Sequence, residues 1–221
     1  QWNARASFGH GYITDSVLEL YLQNLLEYPV LIPDLKGKPP ELLPHLRYHN
    51  GTIFRWSRPV IEFNSQQSPT IRLEFRPLPA GPTVDDMMAN FSFYLGLIIF
   101  YLDNDQYPLE KTIPFEVAKE NFYRVAKHGI HAELIWENGK EVTAVDLIKE
   151  LLPLAYQGLL KADVDKAVAD YYLSILKERV DCQITGSLWQ QQFIRAHKNN
   201  FKGLVVDMVE EDLKFVEKEG Y

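Results

Sequence analysis

The sequence predicts an α+β chain in which a small antiparallel sheet packs on helices and a helical C-terminal half follows. Three observations carry that reading. Segments 52–63 (TIFRWSRPVIEF) and 70–78 (TIRLEFRPL) are rich in β-branched and aromatic residues. The polar link NSQQSP joins them, as a hairpin requires. Thr83-Val-Asp-Asp86 resembles a capping box with Asp in the place of Glu, and an apolar run follows it to Leu102. From Thr143 onward apolar residues recur at helical spacing, with little strand signal.

Taken in order, residues 1–15 are polar and lack periodicity. Ser16 to Tyr28 repeats apolar residues at helical spacing, with Asp15 or Ser16 placed to cap and Glu19 in the first turn. Residues 29–44 hold five prolines and read as a loop. In the hairpin, Pro59 and Pro77 cannot donate to a ladder, so each marks an edge, a bulge or a strand end. The helix from Thr83 to about Leu102 is apolar nearly all round and is expected to be the most buried in the chain. After a loop at 103–113, Phe115–His128 is an amphipathic helix with Gly129 as its C′ residue. Ala132–Trp136 is a short strand ended by the turn Asn138-Gly139. Thr143 caps a helix to about Lys161, expected to kink near Pro153. Helices over 163–181, 187–197 and 201–218 complete the set. The expected organisation is a single domain, 1–221, with a sheet-containing part at 1–140 and a helical part at 141–221.

Composition removes several classes of function. The formal net charge is −7, so a generic nucleic-acid surface, which needs basic residues to replace counterions, is not expected. One cysteine, Cys182, excludes an intrachain disulfide and a thiolate zinc cluster. The longest apolar run, Phe91–Leu102, is short of the roughly 20 residues a bilayer span needs. The first residues lack the basic and apolar regions of a signal peptide, and a cytoplasmic location is expected. The sequence contains no G-x-S-x-G, H-E-x-x-H, Walker or G-x-G-x-x-G motif.

The segment that carries chemistry is Arg72-Leu-Glu-Phe-Arg76. Strand alternation puts Ile71, Leu73 and Phe75 on one face, expected to pack in a core, and Arg72, Glu74 and Arg76 on the other. In isolation such a strand is a solvated face with cross-strand ion pairs. Arg55 and Arg58 on the partner strand place four arginines and a glutamate in one hairpin of an acidic chain. Arg55 and Arg58 differ in parity, so both join that face only if the strand bulges near Pro59. A carboxylate among guanidiniums suits a site where a hard cation and phosphoryl or carboxylate oxygens meet.

HNGTIFRWSRP (49–59), RLEFRPLPAGPTVDDMMAN (72–90), NFYRVAKHGIHAELIW (121–136) and ITGSLWQ (184–190) together resemble the type-2 glutamate–cysteine ligase family, the carboxylate–amine ligases of the glutamine-synthetase-like superfamily. The resemblance implies a glutamine-synthetase-like fold and ATP-dependent amide formation, a step of glutathione biosynthesis. ATP phosphorylates a glutamate γ-carboxylate, and an amine such as that of cysteine displaces phosphate. It implies ATP and Mg²⁺ (or Mn²⁺) as cofactors, with Glu74 as the metal ligand. Arg76 and Arg58 are the implied catalytic arginines. Arg55, Arg72, Asn50 and Trp56 are the implied substrate- or nucleotide-binding residues. Trp56 and Asn50's neighbour His49 also have plain structural readings, as a packing residue and a loop hydrogen-bonder.

The resemblance runs from about Asn50 to Gln192 and matches the C-terminal portion of the family, whose N-terminal half supplies further strands and metal-binding carboxylates. The expectation is a half active site, completed by a missing N-terminal half or within a homo-oligomer, with little turnover by this chain alone. The alternative is a non-catalytic anion-binding or interaction module that keeps the ligase scaffold.

Overall fold

The computed structural model describes residues 4–34, 37–104, 108–197 and 203–218, with side chains up to Glu211. The chain is α+β, and it divides into two compact units, residues 1–78 and 79–221. The boundary therefore falls at Leu78–Pro79, and residues 79–140 belong with the helical C-terminal part.

In the first unit, β1 (Ala6–Ser7) pairs in parallel with β2 (Phe54–Arg55). Helix α1 (Leu18–Glu27) follows β1. Its start is satisfied from within: Glu19 Oε1 accepts from the N–H groups of Asp15 (2.7 Å) and Ser16 (2.8 Å), and Ser16 Oγ accepts from Leu18 N–H. These bonds hold the Glu19 carboxyl below the usual glutamate range. The proline-rich stretch is not loop throughout. It includes a 3₁₀ turn at Pro40–Leu42 and gives way directly to a helix, α2 (Pro44–Gly51), with no counterpart in the sequence reading. Pro44 stands at the first helical position, where its missing N–H costs nothing. The polar sequence HLRYHNG hides that helix, because no apolar stripe marks it.

The hairpin forms as expected in outline. Strand β3 (Ser57–Phe63) pairs antiparallel with β4 (Pro69–Phe75), with Arg58 opposite Glu74, Val60 opposite Arg72 and Ile61 opposite Ile71. The first strand is interrupted at Trp56, not bulged at Pro59. Alternation is as expected, but packing of the apolar face is not. Ile61 is 7% exposed while its partner Ile71 is 47% exposed; Leu73, opposite the buried Pro59, is 61% exposed. Phe75 is exposed as well. Helices cover β3 and leave β4 uncovered, so Ile71, Leu73 and Phe75 do not sit in a core within this unit. Both strands are edges of a two-stranded sheet, which is where a proline such as Pro59 is tolerated.

In the second unit, α3 (Val84–Leu102) opens with a complete capping box: Thr83 Oγ1 accepts from Asp86 N–H, and Asp86 Oδ2 accepts from Thr83 N–H. A one-turn helix α4 (Leu109–Thr112) leads to α5 (Phe115–His128), which ends at Gly129 with φ +58°. Strands β5 (Glu133–Ile135) and β6 (Glu141–Thr143) form a second hairpin around Asn138 and Gly139, both at positive φ. Asn121 in α5 clamps it, donating to Ile135 C=O (2.6 Å) and accepting from Ile135 N–H (3.0 Å). Then come α6 (Ala144–Lys161), α7 (Lys166–Cys182), α8 (Gly186–Ala196) and α9 (Leu204–Lys218). Pro153 lies inside α6, which runs from Ala144 to Lys161. Thr143, Asp165 and Thr185 cap α6, α7 and α8 through their side chains.

Helix α3 is not the most buried. It contributes Ala89, Ser92, Gly96 and Phe100 to the interior, whereas α6 contributes Ala144, Leu147, Leu151, Ala155, Gly158 and Leu159. The buried seam of α3 consists mostly of small residues because its backbone lies directly against α6. A Cβ on Gly96 would strike the Ala155 backbone, and one on Gly158 would strike the Gly96 carbonyl. Phe91, on another side of α3, is exposed, and Leu95, Ile98 and Ile99 are half-buried. Among the described residues no helix is long and apolar enough to cross a membrane.

Candidate functional site

The hairpin brings together some of the expected residues and separates others. Arg58 and Glu74 face one another across the ladder, and Arg58 Nε donates to Glu74 Oε2 at 2.6 Å. On the same face, Arg72 makes a two-pronged bond to Glu62, 2.5 Å from Nη1 and 2.8 Å from Nη2. Four arginines and one glutamate were expected here. The face instead holds two arginines, each with its own carboxylate. Glu62 is the residue that the sequence reading passed over; its parity on β3 matches that of Arg58, which the hairpin register makes decisive.

Arg76 lies just past the end of β4, where its backbone N–H donates to Trp56 C=O (2.8 Å). Its guanidinium sits 3.8 Å from the centre of the Phe54 ring, and Phe54 meets Trp56 edge-on at 5.1 Å. Among the described residues no carboxylate pairs with Arg76. Arg58, Glu74 and Arg76 therefore follow one another at one end of the hairpin, a row in which Glu74 bonds Arg58 while Arg76 lies on the Phe54 ring.

Arg55 and Asn50 are directed elsewhere. Arg55 is buried; it donates to Ser7 Oγ (2.8 Å), lies 5.7 Å from the centre of the Tyr28 ring and 4.0 Å from Glu27. It locks β1, β2 and α1 together. Asn50 is buried at the end of α2, accepts from Asn24 Nδ2 (2.9 Å) and donates to Pro59 C=O (2.8 Å). His49 Nε2 lies 2.9 Å from Asn24 C=O in the same network. These residues fasten α1, α2 and β3 to one another.

Beside the Arg58–Glu74 pair opens a pocket of about 630 Å³, walled by α1, the Pro39–Leu42 stretch, α2 and β3. Its lining includes Lys38, Arg47 and Arg58, with Tyr21, Tyr48 and Asn50, and contains no acidic residue. Tyr21 is 6% exposed, and its hydroxyl finds no partner among the described residues. Burial pushes that hydroxyl above the usual tyrosine range, although the nearby Arg58 charge works the other way. It therefore stays a neutral donor at ordinary pH. Arg47 belongs to the unforeseen helix α2, and nothing in the spacing of Tyr21 or Lys38 singles them out.

The metal expectation does not fit these residues by themselves. Among the described residues no group of three or more His, Cys, Asp or Glu side chains is placed to hold an ion. Glu74 is a single carboxylate, already bonded to Arg58. A hard divalent cation takes several oxygen ligands.

The second-unit residues Asp86 and Thr185, which lie in the segments that carry the resemblance, have structural partners. Asp86 pairs with Arg179, which also donates to Asn90 Oδ1 (3.2 Å), so α7 is tied to the start of α3. Thr185 is the N-cap of α8. No protein-family model, curated protein or solved structure matches the chain.

Proposed function

We propose that the chain is part of an ATP-dependent carboxylate–amine ligase of the glutamate–cysteine ligase type, and that its hairpin handles the anionic groups of the reaction. The observation that carries the reading is the row at one end of the hairpin, in which Glu74 bonds Arg58, Arg76 follows two residues on over the Phe54 ring, and Arg58 also lines a cationic pocket. The reading takes ATP, glutamate and an amine such as cysteine as substrates. The γ-carboxylate of glutamate attacks the γ-phosphorus of ATP and expels ADP. The amine then attacks the acyl carbon and expels phosphate. Arg58 and Arg76 offer planar forks that match phosphoryl or carboxylate oxygens as they gain charge. Mg²⁺ or Mn²⁺ would need ligands besides Glu74 from outside the described residues.

A second reading, a non-catalytic anion-binding module, needs only cations such as the Lys38, Arg47 and Arg58 that line the pocket, and no metal-holding group. The two readings separate in a steady-state assay with Mg²⁺-ATP of this chain together with the half that supplies the remaining metal ligands. The ligase reading expects ADP release that requires glutamate and rises with cysteine. Ligand binding with no glutamate-dependent ADP release supports the module instead.

A further inference from the structure

We infer that the pocket between α1, α2 and β3 is a phosphate-binding site for a small organic phosphate, with Lys38, Arg47 and Arg58 taking the anion and Tyr21 donating to it. This site is distinct from the Glu74–Arg76 row, although Arg58 borders both, and it stands whether or not the chain is a ligase.

Three features of the first unit support it. Among the described residues the pocket wall carries three cations and no acid, in a chain whose formal net charge is −7. Such a local excess attracts anions against the overall field of the protein. Among the described residues the buried Tyr21 hydroxyl has no partner, a state that costs free energy unless a ligand or water accepts a hydrogen bond from it. The lining also offers Leu42, Tyr48, Val60 and Ile61, an apolar surface for the organic part of the ligand. A volume of about 630 Å³ falls in the size range of small-molecule pockets.

Lys38 and Arg47 stand exposed at the rim, where they draw the anion in; Arg58 and Tyr21 lie deeper, where bonds are less screened. Arg58 lines the pocket and is held by Glu74 through Nε, a bond that does not use its terminal nitrogens.

The test is calorimetric titration of the full chain with inorganic pyrophosphate in metal-free buffer, repeated with Arg47→Ala, Lys38→Ala and Tyr21→Phe. Lys119→Ala, in α5, is the control for net charge. The inference expects saturable binding, weakened about tenfold or more by Arg47→Ala and Lys38→Ala and several-fold by Tyr21→Phe, with Lys119→Ala unchanged. Thermal unfolding of each variant guards against loss of fold, and Tyr21→Phe keeps the ring that packs. Absence of saturable binding, or binding equal in all four variants, overturns the inference. Because no metal, glutamate or amine is present, failure here leaves the ligase reading intact. Likewise, pyrophosphate binding that depends on Arg47 survives a protein that never turns over ATP.

Discussion

Arg58 and Glu74 stand directly opposite one another in the β3–β4 ladder, and the arginine's Nε holds the carboxylate at 2.6 Å. The one carboxylate that the family resemblance marks for a metal is therefore engaged by an arginine. A cation that used Glu74 would have to draw it away from Arg58. Glu74's side chain is 40% exposed, so solvent screens the pair and little stability rests on it.

The first prediction follows. Glu74→Gln removes the charge and keeps the shape. It should change unfolding free energy by no more than about 1 kcal/mol in chemical denaturation. The structural role is thus small, and any larger effect of this substitution on activity reports on chemistry rather than on folding.

Gly96 and Gly158 mark where α3 and α6 touch backbone to backbone. Gly158→Ala should destabilise the second unit by about 2 kcal/mol or more, because neither backbone can yield without moving a helix. Gly186→Ala, at the first position of α8 with open space around it, should stay within about 0.5 kcal/mol of the parent. Equal effects of the two substitutions in urea unfolding would contradict the close-packed seam.

Asn50 joins three elements through its side-chain amide. Asn50→Ala leaves Asn24 Nδ2 and Pro59 C=O without that partner and should cost the first unit about 2 kcal/mol or more. Asn50→Asp should cost comparably, since a carboxylate cannot donate to a carbonyl. Unchanged stability together with weakened ligand binding would instead give Asn50 a direct role in the pocket that it lines.

Glu19 gives a pH dependence of definite sign. Backbone N–H donors at Ser16, Asp15 and Thr14 hold its carboxyl below the ordinary glutamate value. The folded protein therefore binds this proton less readily than the unfolded chain does. The resulting stability is fully present above the unfolded pKa and is lost as pH falls through the folded one. A pH titration of unfolding should show a shallower acid-side loss in Glu19→Gln than in the parent. An unchanged acid limb would remove Glu19 from the start of α1.

The elements with strong local signals were legible in the sequence. The Thr83/Asp86 capping box, the stop at Gly129, the turn at Asn138-Gly139 and the cap at Thr143 all lie where their side-chain chemistry places them. Hairpin alternation was legible too, because a period of two follows from the strand itself. What could not be read was tertiary. Nothing local in TIRLEF says that helices stop at β3, so Leu73 was expected inside and lies exposed. Helix α2 is polar and begins with proline, and the cationic pocket depends on it through Arg47. At the site, the pairing of Arg72 with Glu62 depends on register, which only the folded hairpin fixes.

The central claim is that the hairpin row serves ATP-driven acyl activation, and trapping the acyl phosphate with hydroxylamine tests it most directly. With Mg²⁺-ATP, glutamate and hydroxylamine, the parent protein, taken as this chain together with the half that supplies the remaining metal ligands, should form γ-glutamyl hydroxamate and ADP in equal amounts, and the chain by itself should form little. Both should fall by at least about a hundredfold in Glu74→Gln, and comparably in Arg76→Lys, whose ammonium lacks the planar fork. Hydroxamate formed at the parent rate by Glu74→Gln, or no ATP-dependent hydroxamate from the parent protein, would contradict the account.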